Sequence, residues 1–336
     1  MRTKWIAMGA VLLLFGLAGH MFGAEPEWNA AAIKPCDRTC LIGIMDGYMA
    51  AIYKHDPKAV PALAADVRMT ENTGQMDVGE AVLWRSKCEP TSFNLYIADP
   101  VAGQVALQAR IKVQGRDTLI GIRLKVDRGQ IQEIEQLWAS GINAAAIPLL
   151  TTPRATMTND VPAAERTSRE VLLRAANSYF DALEGDDGKI GAFADDCVRH
   201  ENGYQTVNNP PPGGRMMPAP PLPDPNTPQG KDQLKFSMLT CSAQVDSKIF
   251  AYMKRIRPRR ALVIDEQKGL VATFPLFIHD GTRRGAAPDA PPGMLQNLVT
   301  METFGIRGGK IHEVEAFPFV TIGYGLGNGW TAGSGR

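Results

Sequence analysis

The chain repeats itself, and that repetition constrains the fold more than any other feature of its 336 residues. Leu41, Ile44, Met45, Tyr48 and Ile52 lie 3, 4, 7 and 11 residues from the first, which is one face of an α-helix. Leu172, Ala175, Ala176, Tyr179 and Leu183 carry the same intervals. Each helix runs into an acidic-polar stop, Lys54-His55-Asp56 or Gly185-Asp186-Asp187, and a short second helical piece is expected after it. Matching strands follow, Val67 to Asn72 and Cys197 to Asn202, both ending in Glu-Asn. Asp99 and Asp265 each stand four residues before a hairpin glycine, Gly103 or Gly269. Finally, Leu124 to Glu135 matches Phe304 to Glu315, a strand, a Gly turn and a strand with Ile or Val alternating with Glu. Four matched blocks in one order predict two diverged copies of one α+β module, helix first and curved antiparallel sheet second.

The spacing between blocks differs, as surface-loop insertions make it differ. The first module is expected over 36–140, a Thr- and Pro-rich linker over 151–164, and the second module over 165–320. The second module carries a proline-rich insertion over 206–233, with Pro210-Pro211-Pro212 and Pro218-Ala219-Pro220-Pro221, and another from about 280 to 294. A Gly-rich tail occupies 321–336.

At the N-terminus, Arg2 and Lys4 precede an apolar run from Trp5 to about Leu17, then small residues ending at Ala24. This is the order of a secretory signal peptide over 1–24, and the run is short for a membrane span. An uncleaved anchor is the alternative. Export implies a periplasmic or secreted protein with no stable membrane insertion after cleavage. The net charge is +1, and loss of Arg2 and Lys4 makes it −1. Near-neutral charge without a basic tail argues against a nucleic-acid partner.

An oxidising compartment permits disulfides among Cys36, Cys40, Cys88, Cys197 and Cys241. The number is odd, so one thiol stays free or pairs outside the chain. Cys197 and Cys241 make a plausible bridge within the second half, while Cys36, Cys40 and Cys88 compete for another. A zinc site is the alternative, but no Cys-x-x-Cys is present and His20, His55, His200, His279 and His312 show no ligand spacing. No metal and no cofactor are expected.

A helix, short helical pieces and a sheet ending in Gly-x-Ile-x-Glu-Ile/Val-Glu resemble the nuclear-transport-factor-2-like, or SnoaL-like, superfamily, twice over and across nearly the whole mature chain. The final hairpin carries most of the likeness. The Thr-Glu-Asn and His-Glu-Asn strands, with Leu83-Trp84 after the first, look like a secreted tandem branch of it. The resemblance implies two cone-shaped α+β barrels, each with a pocket between long helix and sheet. It also implies pairing through the sheet, between the modules of one chain or in a homodimer. That superfamily holds dehydratases, isomerases, cyclases, epoxide hydrolases and non-catalytic binding modules, so fold alone selects no activity.

The residues point to the second module. Arg199-His200-Glu201-Asn202-Gly203-Tyr204 gathers a base, an acid, an amide and a phenol. On a regular strand His200 and Asn202 share one face, Arg199 and Glu201 the other. The first copy has Thr70 where the second has His200. His200, Glu201 and Asp265 are the catalytic candidates, and Asn202, Tyr204, Tyr252 and Arg255 the substrate-binding ones. Turn chemistry is the competing role for Asp265, and Asn202 has a competing structural role. The acids Glu133, Glu135, Glu313 and Glu315 fit a solvated or salt-bridged sheet face, with a barrel interior lined by carboxylates as the alternative. The run Lys254 to Arg260 either pairs with acids or offers an arginine to an anionic ligand. The expectation is an exported pocket enzyme moving protons on a small, partly hydrophobic molecule as a lyase, hydratase or isomerase. The alternative is a non-catalytic ligand- or protein-binding tandem module.

Overall fold

Both predicted long helices form, each of 17 residues. In the computed structural model, which describes residues 36–209, 236–279, 281 and 297–322, α1 spans Arg38–Lys54. Its N-cap, Asp37, accepts from the Cys40 amide at 3.0 Å, which satisfies one of the donors a helix start leaves unpaired. It ends at His55 in the left-handed region, φ 55°. A 3-10 turn at Pro57–Ala59, β1 (Leu63–Glu71) and β2 (Gly74–Met76) follow, then the short α2 (Val82–Arg85). Four long strands complete the first module: β3 (Cys88–Asp99), β4 (Gln104–Val113), β5 (Arg116–Asp127) and β6 (Gln130–Ser140).

The predicted linker is structured. A 3-10 helix at Ala144–Leu150, α3 (Ala155–Thr158) and a 3-10 turn at Ala163–Glu165 lead into α4 (Arg169–Gly185). Ser168 caps α4 and Asp186, φ 50°, ends it where His55 ends α1. Next come β7 (Phe193–Glu201), β8 (Tyr204–Gln205), α5 (Cys241–Asp246), β9 (Met253–Ile256), β10 (Ala261–Asp265), β11 (Leu270–Thr273), β12 (Leu276–His279), β13 (Asn297–Arg307) and β14 (Lys310–Ile322). The second short helical piece is a single 3-10 turn in the first copy, and in the second the chain passes from α4 to β7 through turns. The signal segment, most of the proline-rich insertion, most of the second insertion and all but the start of the Gly-rich tail lie outside the described residues.

Two sheets result, in the orders β2-β1-β6-β5-β4-β3 and β10-β11-β13-β14-β7-β8, with β12 bridging β13 and β9. They are mixed where antiparallel sheets were expected, because the strand after each long helix enters parallel to the last strand of its module. Met69 lies beside Ile134 and Thr70 beside Glu135; Arg199 lies beside Val314 and His200 beside Glu315. The pairing leaves both sheets open, so the expected closed cone is not what the strand order describes.

Alternation along the strands divides the core into three. Leu41, Met45, Tyr48 and Ile52 of α1 pack with Leu107, Ile120 and Ile122 of the first sheet. Leu172, Tyr179, Phe180 and Leu183 of α4 pack with Val271, Phe304 and Val314 of the second. The opposite sheet faces meet each other, Phe93, Leu95, Ile97 and Leu119 against Val263, Phe274, Met301 and Phe317. The seam is tight at Gly121, where a Cβ would come within 3.1 Å of Met301 and Pro318. The Gln108 amide nitrogen donates across it to the Met301 and Phe317 carbonyls at 3.0 and 2.9 Å.

Two disulfides close. Cys197 and Cys241 tie β7 to α5, as expected. Cys36 pairs with Cys40 over the first turn of α1, and Cys88 is left free and buried. Disulfides fit an oxidising compartment. Among the described residues no helix is long and apolar enough to cross a membrane.

Candidate functional site

Strand parity brings Arg199 and Glu201 to the α4 side of the second sheet and turns His200 away from it. Beneath α4 they meet Tyr179 and Glu302 around a small cavity, of about 40 Å³. Leu183, Phe250, Met253, Phe277, Leu298 and Phe319 form its apolar walls.

The polar end is a tightly coupled group. Glu201 pairs with the Arg199 guanidinium at 2.6 Å. Arg199 Nε donates to Thr206 Oγ1 at 3.1 Å, and its guanidinium carbon lies 4.7 Å from the centre of the Phe250 ring. Burial alone would lower the Arg199 pKa, but the charge of Glu201 outweighs burial and holds the cation. Glu302 is only 3% exposed, and its Oε2 has no hydrogen-bond partner. Burial pushes its carboxyl up to about 8; Arg199 opposes this and the Glu201 charge adds to it. Near neutral pH Glu302 therefore holds its proton, and a proton donor stands in a largely apolar cavity.

The first module places buried apolar residues at the corresponding positions. By the alignment of the copies, Met69 replaces Arg199 and Ile122 replaces Glu302. Glu71, the counterpart of Glu201, accepts from the Val82 and Leu83 amides at 2.7 and 3.3 Å and from the Gln136 amide at 2.6 Å. It thereby fastens α2, and Trp84 of that helix packs edge-on to Tyr48 at 5.5 Å. The Tyr48 hydroxyl donates to Gln136 Oε1 at 2.9 Å.

Of the sequence candidates, Glu201 alone lines the cavity. His200 faces the linker, its Nδ1 3.8 Å from Glu313 and without a hydrogen bond. Arg154 takes Glu313 and Glu315. Burial, with the Arg154 charge adding to it, drives the imidazole down to about 3, so this contact is not an ion pair at neutral pH. Asp265 lies at the seam between modules, where it accepts from Arg38, from the Ala98 amide at 3.2 Å and from the Lys268 amide at 3.1 Å. Asn202 holds φ +47° in the β7–β8 turn with Gly203; its twin Asn72 exchanges two hydrogen bonds with the Trp138 backbone. Tyr204 packs against the inter-sheet core. Arg255 is exposed on β9. Tyr252 stacks on His279 with ring centres 4.5 Å apart.

The basic run is largely consumed by acids. Arg257 and Arg259 bind Glu184, Arg259 also binds Asp181, and Arg260 binds Glu135. The residue that sequence reasoning missed is Glu302. Its signal was present: Leu298, Phe304 and Ile306 mark the α4 face of β13, and Glu302 is the acid that interrupts it.

No curated protein matches the chain. Residues 165–318, which include every cavity residue except Phe319, match the model of a domain of unknown function, DUF8021.

Proposed function

We propose that the second module is an exported acid–base catalyst for a small, partly hydrophobic molecule, of the lyase, hydratase or isomerase kind, and that Glu302 carries the proton. The observation that carries this reading is a buried carboxyl, protonated near neutral pH and with an unpartnered oxygen, at the wall of a cavity, where the first module carries Ile122 instead. Such a group donates a proton to an oxygen or carbanion and recovers it without any cofactor. The Arg199–Glu201 pair and Tyr179 orient the substrate and meet the charge that develops beside Glu302. His200 and Asp265, both at the seam between modules, become structural. A relationship to the nuclear-transport-factor-2-like superfamily, with a long helix packed on one face of each sheet, is part of this proposal. The cavity beneath α4 lies where that superfamily keeps its pocket. Export is supported by the two disulfides and the signal-like N-terminus.

A non-catalytic binder is the second reading, and the first module, with Met69 and Ile122 in place of Arg199 and Glu302, favours it for that half of the chain. The test begins with the small molecule that accompanies the protein from its native host. Its conversion, or its hydrogen exchange with heavy water, is then measured. Glu302→Gln is expected to slow that reaction by roughly 10²–10⁴-fold, while His200→Gln stays near wild type. Full activity in Glu302→Gln would remove Glu302 from the chemistry.

A further inference from the structure

We infer that the cavity beneath α4 selects an uncharged ligand and holds it through one acceptor oxygen, a carbonyl or hydroxyl, against the Glu302 carboxyl. This rests on the reading of that cavity as a ligand site and adds the charge class of its occupant.

The Arg199 cation is already matched, by Glu201 at 2.6 Å and by Thr206 at 3.1 Å. An anionic ligand must displace Glu201 from it and leave that carboxylate uncompensated beside the cavity, which is costly in a poorly solvated site. A cationic ligand finds Glu201 engaged and Glu302 protonated. A neutral acceptor loses little on entering, because its oxygen meets a buried carboxyl whose Oε2 lacks a partner. Its apolar body meets Leu183, Phe277 and Leu298.

Among the described residues, the groups that face Glu302 are Arg199 and Glu201 from β7 and Tyr179 from α4. β9, β12 and β14 contribute Met253, Phe277 and Phe319, none of which titrates. Ionisation of Glu302 near pH 8 replaces a donor with a repelling charge, so ligand affinity should fall across that pH.

The experiment titrates the full chain with three compounds of the same shape and size: acetone, acetate and isopropylammonium. Ligand-observed NMR is recorded about two pH units below and about two above the Glu302 transition, beyond which its protonation is nearly complete or nearly lost. Acetone should bind roughly tenfold tighter than either ion at the lower pH and weaken by a similar factor at the higher. Glu302→Gln retains an amide donor, so it should keep the acetone affinity and lose the pH dependence. Glu302→Leu should lose the affinity. Preference for acetate or isopropylammonium overturns the inference and leaves the cavity standing as a ligand site. Binding of none of the three, or binding indifferent to Glu302→Leu, overturns the cavity reading and the inference with it.

Discussion

At the scale of single residues, the second sheet carries two buried titrating groups displaced in opposite directions on its two faces. Glu302 is raised from 4.5 to about 8, first by burial. The unfolded chain releases this proton near pH 4.5, the folded chain only near 8. Stability from Glu302 is thus fully present below about 4.5 and is lost as pH rises through 8. His200 is lowered from 6.5 to about 3, again first by burial. The unfolded chain takes up a proton below 6.5 that the folded chain refuses, so stability is present above 6.5 and is lost as pH falls through 3. Each pH unit of displacement is about 1.4 kcal/mol, so each group governs a few kcal/mol. Urea midpoints measured across pH should show Glu302→Gln flattening the alkaline decline and His200→Gln flattening the acid one. An alkaline decline that survives Glu302→Gln would mean that this carboxyl is not held neutral.

At the scale of elements, β1 and β7 are the same strand put to two uses. Glu71 spends both oxygens on the start of α2, whereas Glu201 spends its charge on Arg199. Glu71→Ala leaves two amides of a buried turn and the Gln136 side chain unpaired. We expect a loss of roughly 1–3 kcal/mol in urea unfolding, with cavity binding in the second module untouched. A neutral result would mean that packing of Leu83 and Trp84 alone holds α2. The elements themselves were legible because periodicity is local: α1, α4, the β3–β4 and β10–β11 hairpins and the final hairpins fall where the repeats put them. The parallel entry of β1 beside β6 and of β7 beside β14 was not legible, since partners so distant in sequence leave no local pattern. The face assignment of Arg199, His200 and Glu201 followed from strand parity alone. Which face held the cavity did not, because the α4 side and the seam are both buried.

At the scale of the whole molecule, the contact between the two sheets has the reciprocity of a twofold interface. Arg38 opens α1 and binds Asp265 of the second module. Arg169 opens α4 and binds Asp99 of the first, at 2.8 and 2.5 Å. Asp265 accepts the Ala98 amide, and Asp99 accepts the Ile264 amide at 3.0 Å. Each Asp also accepts the amide three residues on, Ala102 or Lys268, at 3.0 and 3.1 Å. Turn chemistry was therefore half of the role of these residues. The other half was written in Arg38 and Arg169, which hold the same place in both copies but disclose a partner only once the sheets are seen face to face. Both carboxylates are buried, at 0% and 1% exposure. Removing either one orphans backbone donors and an arginine together, and the loss of one partner from a buried pair costs about 3–5 kcal/mol. Asp99→Ala and Asp265→Ala should each cost about that much. They face one another across a single seam, so the double variant should lose less than the sum. Unfolding should stay a single transition in the wild type, followed together by tyrosine and tryptophan fluorescence and by far-ultraviolet circular dichroism. Strict additivity, or wild-type stability in either single variant, would mean that the apolar seam joins the modules without the aspartates.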